Sequence, residues 1–65
     1  MNLREADAEF RRLGGTVEKV PANGEVEYRH PDLPRPLRVN GRRKDAPRNL
    51  IVAIRRLQEA DHAHA

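Results

Sequence analysis

The apolar residues of this chain change their spacing twice, and that change leaves few folds open. Leu3, Ala6, Phe10 and Leu13 recur at helical intervals. Asn2 is a good N-cap with Glu5 three residues on, and Gly14-Gly15 supplies a left-handed stop, so residues 2–13 read as a helix. From Thr16 the rule becomes alternation. Thr16 to Val20 is rich in β-branched residues, and Pro21-Ala22-Asn23-Gly24 is a turn with the Asn-Gly hairpin signal. In Glu25 to His30, Val26, Tyr28 and His30 share one face. Leu37 and Val39 then alternate with Arg38 and Asn40, and Pro36 places that strand at an edge or at its own start. The helical period returns at Leu50, Ile54 and Leu57, with Asp45 as the expected cap and Pro47 in the first turn.

The expected fold is α+β, a two-layer sandwich of α-β-β-β-α order. A three-stranded antiparallel sheet has one face covered by two helices. Its core is expected from Leu3, Phe10, Leu13, Val17, Val26, Tyr28, Leu37, Val39, Leu50, Ile54 and Leu57. Residues 1–60 form a single domain, the last helix fades near Ala60, and 61–65 are a flexible tail. Pro31-x-x-Pro34-Arg35-Pro36 reads as a strand-to-strand loop rather than a polyproline ligand. A domain of this size buries only about 60% of its unfolded surface, and without cysteine it has no disulfide or thiolate metal site. A cytoplasmic location is the expectation. No apolar run approaches the length of a membrane span, and the N-terminus lacks the apolar core of a secretory signal.

Charge is distributed unevenly along this frame. Residues 35–56 carry eight cations (Arg35, Arg38, Arg42, Arg43, Lys44, Arg48, Arg55, Arg56) and one anion, Asp45, whereas the segments before and after are each net −2. A polarised surface of this kind attracts polyanions. Arg42-Arg43-Lys44 lies just ahead of a helix start, where backbone N–H groups favour phosphate. The expected nucleic-acid-binding residues are Arg38, Arg42, Arg43, Lys44, Arg48 and Arg55. Both aromatic residues, Phe10 and Tyr28, belong to the expected core, so a stacking platform for single strands is not expected.

Catalytic signals are sparse. There is no serine or cysteine for nucleophilic catalysis. Glu25 and Glu27 are carboxylates on the polar strand face, and His30 shares the face of Val26 and Tyr28, which suits a structural histidine. His62 and His64, beside Asp61, do not define a closed metal site. No catalytic residue, metal or cofactor is expected.

Three passages carry a family resemblance: Arg-Leu-Gly-Gly before a Thr-Val-Glu strand, the run Gly24 to Asp32, and the helix Pro47-Arg48-Asn49-Leu50-Ile51-Val52-Ala53-Ile54-Arg55-Arg56-Leu57. Together they span nearly the whole chain. They resemble the double-stranded-RNA-binding-domain fold and, more narrowly, the HicA-like toxin family with its small actinobacterial and actinophage relatives. That family's toxins are messenger-RNA ribonucleases whose catalytic histidine follows a glycine at the start of the second strand. Here Glu25 follows Gly24. The resemblance therefore implies a binding surface without the family's catalyst.

The leading expectation is a small non-enzymatic protein that contacts duplex DNA or RNA phosphates with weak sequence preference, a phage-encoded or toxin-like factor that interferes with host growth. Two alternatives stay open. One is a diverged messenger-RNA interferase using Glu25 or His30. The other is a module that binds an antitoxin or host protein, with an acidic face around Glu5, Glu9 and Glu27. The exposed sheet edges also allow a homodimer.

Overall fold

A computed structural model describes the backbone of residues 1–63 and the side chains through Asp61. The elements are α1 (Leu3–Arg12), β1 (Thr16–Val20), β2 (Glu25–Arg29), β3 (Leu37–Asn40) and α2 (Arg48–Ala63). The order is α-β-β-β-α and the architecture is α+β, as the spacing predicts. The strands form an antiparallel meander in the order β1-β2-β3, so β2 is central.

Local chemistry accounts for the limits of α1. The Asn2 side chain accepts from the Glu5 N–H (2.8 Å), and the Glu5 carboxylate accepts from the Asn2 N–H (3.0 Å), completing the capping box. At the other end Gly14 adopts φ +93°. Its N–H donates to the Arg11 carbonyl, and the Gly15 N–H donates to that of Phe10, both at 3.0 Å. This is the Schellman pattern, which satisfies carbonyls that the ending helix leaves open. Gly15 is required for a different reason: a Cβ there would lie 2.2 Å from the Phe10 ring.

Register assigns each strand residue to a face. Val17, Tyr28 and Leu37 form one row across the sheet, and Lys19, Val26 and Val39 the next; both rows face the helices. Phe10 from α1 meets Tyr28 edge-on, with centroids 5.2 Å apart. Leu50, Ile54 and Leu57 from α2 complete the buried cluster with Ala6, Val39 and Ala46. Every residue expected in the core is buried or packed against it. Leu33 from the β2–β3 loop also packs there and anchors the Pro31–Pro36 connection to the core.

Two details of α2 differ from expectation. Asp45 does not cap it. Asp45 instead forms an isolated antiparallel bridge with Asn2, and the helix starts three residues later. The Pro47 carbonyl accepts from the N–H groups of both Leu50 and Ile51 at 3.1 Å, so the chain spends residues 44–46 on the N-terminus of α1 before it turns into the helix. The helix also continues past Ala60 to Ala63. Its last turns run beside α1, where Gln58 donates to Glu9 at 2.9 Å and Asp61 acts on Arg12. Adding residues to a helix already nucleated and held costs little, least of all for alanine. The side chain of His62 and all of His64, the sequence's weak metal signal, lie outside the described residues.

Candidate nucleic-acid interface

The two helices do not cover the sheet fully. Near the β1–β2 turn, the row beginning at Lys19 extends beyond α1 and leaves a cleft of about 570 Å³. Its walls are the first two turns of α1, the helix-side face of β1 and β2, and the β3–α2 loop. Tyr28 lines it from below. That loop is fixed in position: Leu3 N–H donates to the Lys44 carbonyl (2.8 Å), and Ala46 N–H donates to the Met1 carbonyl (3.1 Å). The stitching brings the basic loop alongside the start of α1.

Four cations line the cleft: Arg4, Lys19, Arg43 and Lys44. Among the described residues none of them makes an ion pair. The one acid in the lining, Asp7, is already held by Arg11 at 2.6 Å. A neighbouring hollow of about 270 Å³ shares Lys19, Val26 and Gly41 with the cleft and adds Arg42 and the acid Glu25, whose carboxylate accepts from the Asn23 side chain at 2.6 Å. The result is a continuous basic trough running from Arg4 through Lys44, Arg43 and Lys19 to Arg42. Within the adjacent helix start, the N–H groups of Leu3 and Glu5 are already bonded, so an anion here meets mainly side chains rather than the helix terminus.

The six cations singled out by sequence go to three places. Arg42, Arg43 and Lys44 join the trough. Arg38 is on the opposite, open face of the sheet, in the row Glu18, Glu27, Arg38. There it donates to Glu27 at 3.2 Å, while Arg29 hydrogen-bonds the other carboxylate oxygen. Arg48 and Arg55 are two helical turns apart on the exposed side of α2 and line neither hollow. The reason is register for Arg38 and helical phase for the other two: closeness in sequence does not carry them to one surface.

Sequence reasoning missed Arg4 and Lys19. Arg4 comes from residues 1–34, the net −2 segment, where only the net sum was informative. Lys19 was detectable. It shares parity with Val17, so it is a charge placed on the helix-facing side of a strand, and such a break in alternation marks either a buried partner or an uncovered site.

The residues weighed for proton transfer are committed elsewhere. Asp32 N–H donates to His30 Nδ1 (3.0 Å), which leaves Nε2 to donate to the Leu13 carbonyl (2.8 Å). His30 also packs edge-on against Phe10, and so ties the end of β2 to the end of α1. Glu25 is bonded to Asn23 in the β1–β2 turn. Glu27 is only 7% exposed despite its place on the open face. The Arg29 hydrogen bond, joined by that from Arg38, holds its carboxyl below the usual range against burial, which acts the other way. Glu27 therefore does not belong to one acidic face with Glu5 and Glu9. Glu5 is used in the capping box, and Glu9 is held by Arg12 and Gln58.

No family model, curated protein or solved structure matches this chain. Among the described residues, no group of three or more His, Asp or Glu side chains is placed to hold a metal, and no helix is long and apolar enough to cross a membrane.

Proposed function

We propose that the protein binds the phosphate backbone of duplex nucleic acid through the trough formed by Arg4, Lys19, Arg42, Arg43 and Lys44. The observation that carries this reading is the convergence on one cleft of four cations that make no ion pair among the described residues, with a fifth in the adjoining hollow. Uncompensated like charges repel one another, and a polyanion removes that repulsion while releasing its own counterions. The side chains come from α1, β1 and the loop, so they present a shaped surface rather than a flexible basic tail.

Phosphate contacts position a protein on a duplex but carry little sequence information. Phe10 and Tyr28 are buried against each other, so base stacking is not part of this reading. The engagement of His30, Glu25 and Glu27 in structural bonds favours a binder over a ribonuclease. The resemblance to HicA-like proteins, with Glu25 in the position after Gly24, is compatible with this view.

An anisotropy titration against labelled duplex DNA and duplex RNA tests the proposal. If all five cations neutralise phosphates, log Kobs falls with log salt at a slope of about −4.5 on B-DNA. A salt-independent affinity, or no binding to either duplex at low salt, overturns it.

A further inference from the structure

A second surface lies away from the trough. Between α2 and the β2–β3 loop is a groove of about 220 Å³ whose lining is mostly apolar and shares no residue with the basic cleft. Leu37, Val52 and Ala53 contribute to its apolar walls, and Arg35 and Arg56 are its charged members. Val52 is 49% exposed, one of two large apolar side chains left in solvent; the other is Met1. The groove borders β3, which pairs only with β2 and so offers a free edge of backbone donors and acceptors.

These features together define an occupant. A free strand edge takes an extended chain through main-chain hydrogen bonds, and pockets beside it select alternate side chains. Leu37 is on the helix-facing row and lines the groove, so a residue of an added strand beside Leu37 on that face meets the apolar groove. The volume suits one or two aliphatic side chains. Neither Arg35 nor Arg56 has an ion-pair partner among the described residues, and no acid lines the groove. A second copy of this chain would bring another Arg35 and Arg56 against the first pair, a like-charge juxtaposition that disfavours self-association. We propose that this edge binds an extended acidic peptide of a partner protein, aliphatic at alternate positions and carrying carboxylates to meet Arg35 and Arg56, as a fourth strand beside β3.

The test is selection of a random 12-residue displayed peptide library on the immobilised full chain, followed by anisotropy with the enriched peptide. The expected result is enrichment of acidic sequences with alternating aliphatic residues. The double variant Arg35→Glu, Arg56→Glu weakens their binding about tenfold or more, whereas Arg43→Ala with Lys44→Ala leaves it within about twofold. All four residues are exposed and make no ion pair among the described residues, so both variants should retain the wild-type circular dichroism spectrum. Amide shifts in residues 37–40 complete the expected pattern. No acidic enrichment, or affinity that depends on Arg43 and Lys44 instead, overturns the proposal, as does a dimer in sedimentation that Val52→Glu abolishes. Because the groove and the trough share no residue, failure of duplex binding leaves this result unaffected.

Discussion

Arg38 and Lys44 are six residues apart in one basic segment, yet they occupy opposite electrostatic situations. On the open sheet face, Arg38 and Arg29 bracket Glu27, and their charge answers a need internal to the fold. Register places Glu18 directly beside Glu27, and two like charges on neighbouring strands repel. The two guanidinium groups offset that repulsion and cover the central carboxylate. In the trough, Arg4, Lys19, Arg43 and Lys44 make no ion pair among the described residues; of the two acids that line it, Asp7 is taken by Arg11 and Glu25 is bonded to Asn23. The same residue types thus stabilise a sheet in one region and remain available to a ligand in the other. Net charge alone does not distinguish the two; the positions of the acids do.

The sharpest way to break this contrast is to remove cations from each region in turn. Arg43→Ala with Lys44→Ala should weaken duplex binding about thirtyfold at 0.15 M salt and make the salt slope shallower by about 1.8, since each lost phosphate contact removes about 0.9 from the slope. Lys19→Ala alone should cost about fivefold by the same relation, and anisotropy at several salt concentrations checks both. Arg38→Ala, by contrast, should change affinity by less than about twofold. Equal losses from Arg38 and Lys44 variants would show that the two faces act as one.

Glu27→Gln sharpens the comparison further. It releases Arg29 and Arg38 from their carboxylate while leaving them on the open face. The salt slope should stay as in the wild type, because location as well as pairing separates these arginines from the trough. A slope steeper by about 1 or more would show that the clamp alone had kept them from the ligand. The same variant should lower the melting temperature at neutral pH. It should also blunt acid unfolding, and the sign follows from the direction of the shift. Arg29, then Arg38, holds the Glu27 carboxyl below its ordinary value, so on acidification the unfolded chain takes up its proton first. The stabilisation is fully present above the usual carboxylate range, about pH 4.3, and is lost as pH falls through the lowered folded value. Thermal melts of both proteins between pH 2 and 6 give the comparison.

The smallest effect expected is on the fold's response to anions. Inorganic phosphate should raise the melting temperature of the wild type more than chloride does at equal ionic strength, because an ion that binds only the native trough stabilises it by mass action. The increment should shrink in the Lys44→Ala variant and persist in Arg38→Ala.

Much of this protein is legible from local spacing. Asn2, Glu5 and Gly14-Gly15 bound the first helix through contacts within a few residues, and alternation around Tyr28 and Val39 identifies strands and their buried sides. The site was legible only in part. Arg42-Arg43-Lys44 stands out as a run, whereas Arg4 and Lys19 join it through contacts spanning tens of residues, above all the hydrogen bond between Leu3 and Lys44. Asp45 shows the same limitation in reverse. As a string it looks like a cap, but its backbone is used in a bridge to Asn2.

What the linear order determined by itself was the succession of elements, their buried faces and an excess of positive charge in one segment, because helix caps, turns and side-chain periodicity act over short range. Only the folded chain decided which charges are free. Pairing depends on distance in space, and strand register, helical phase and the docking of residues 44–46 on the N-terminus set those distances. These three together turned Arg38 toward Glu27 and gathered Arg4 and Lys19 around Arg43 and Lys44.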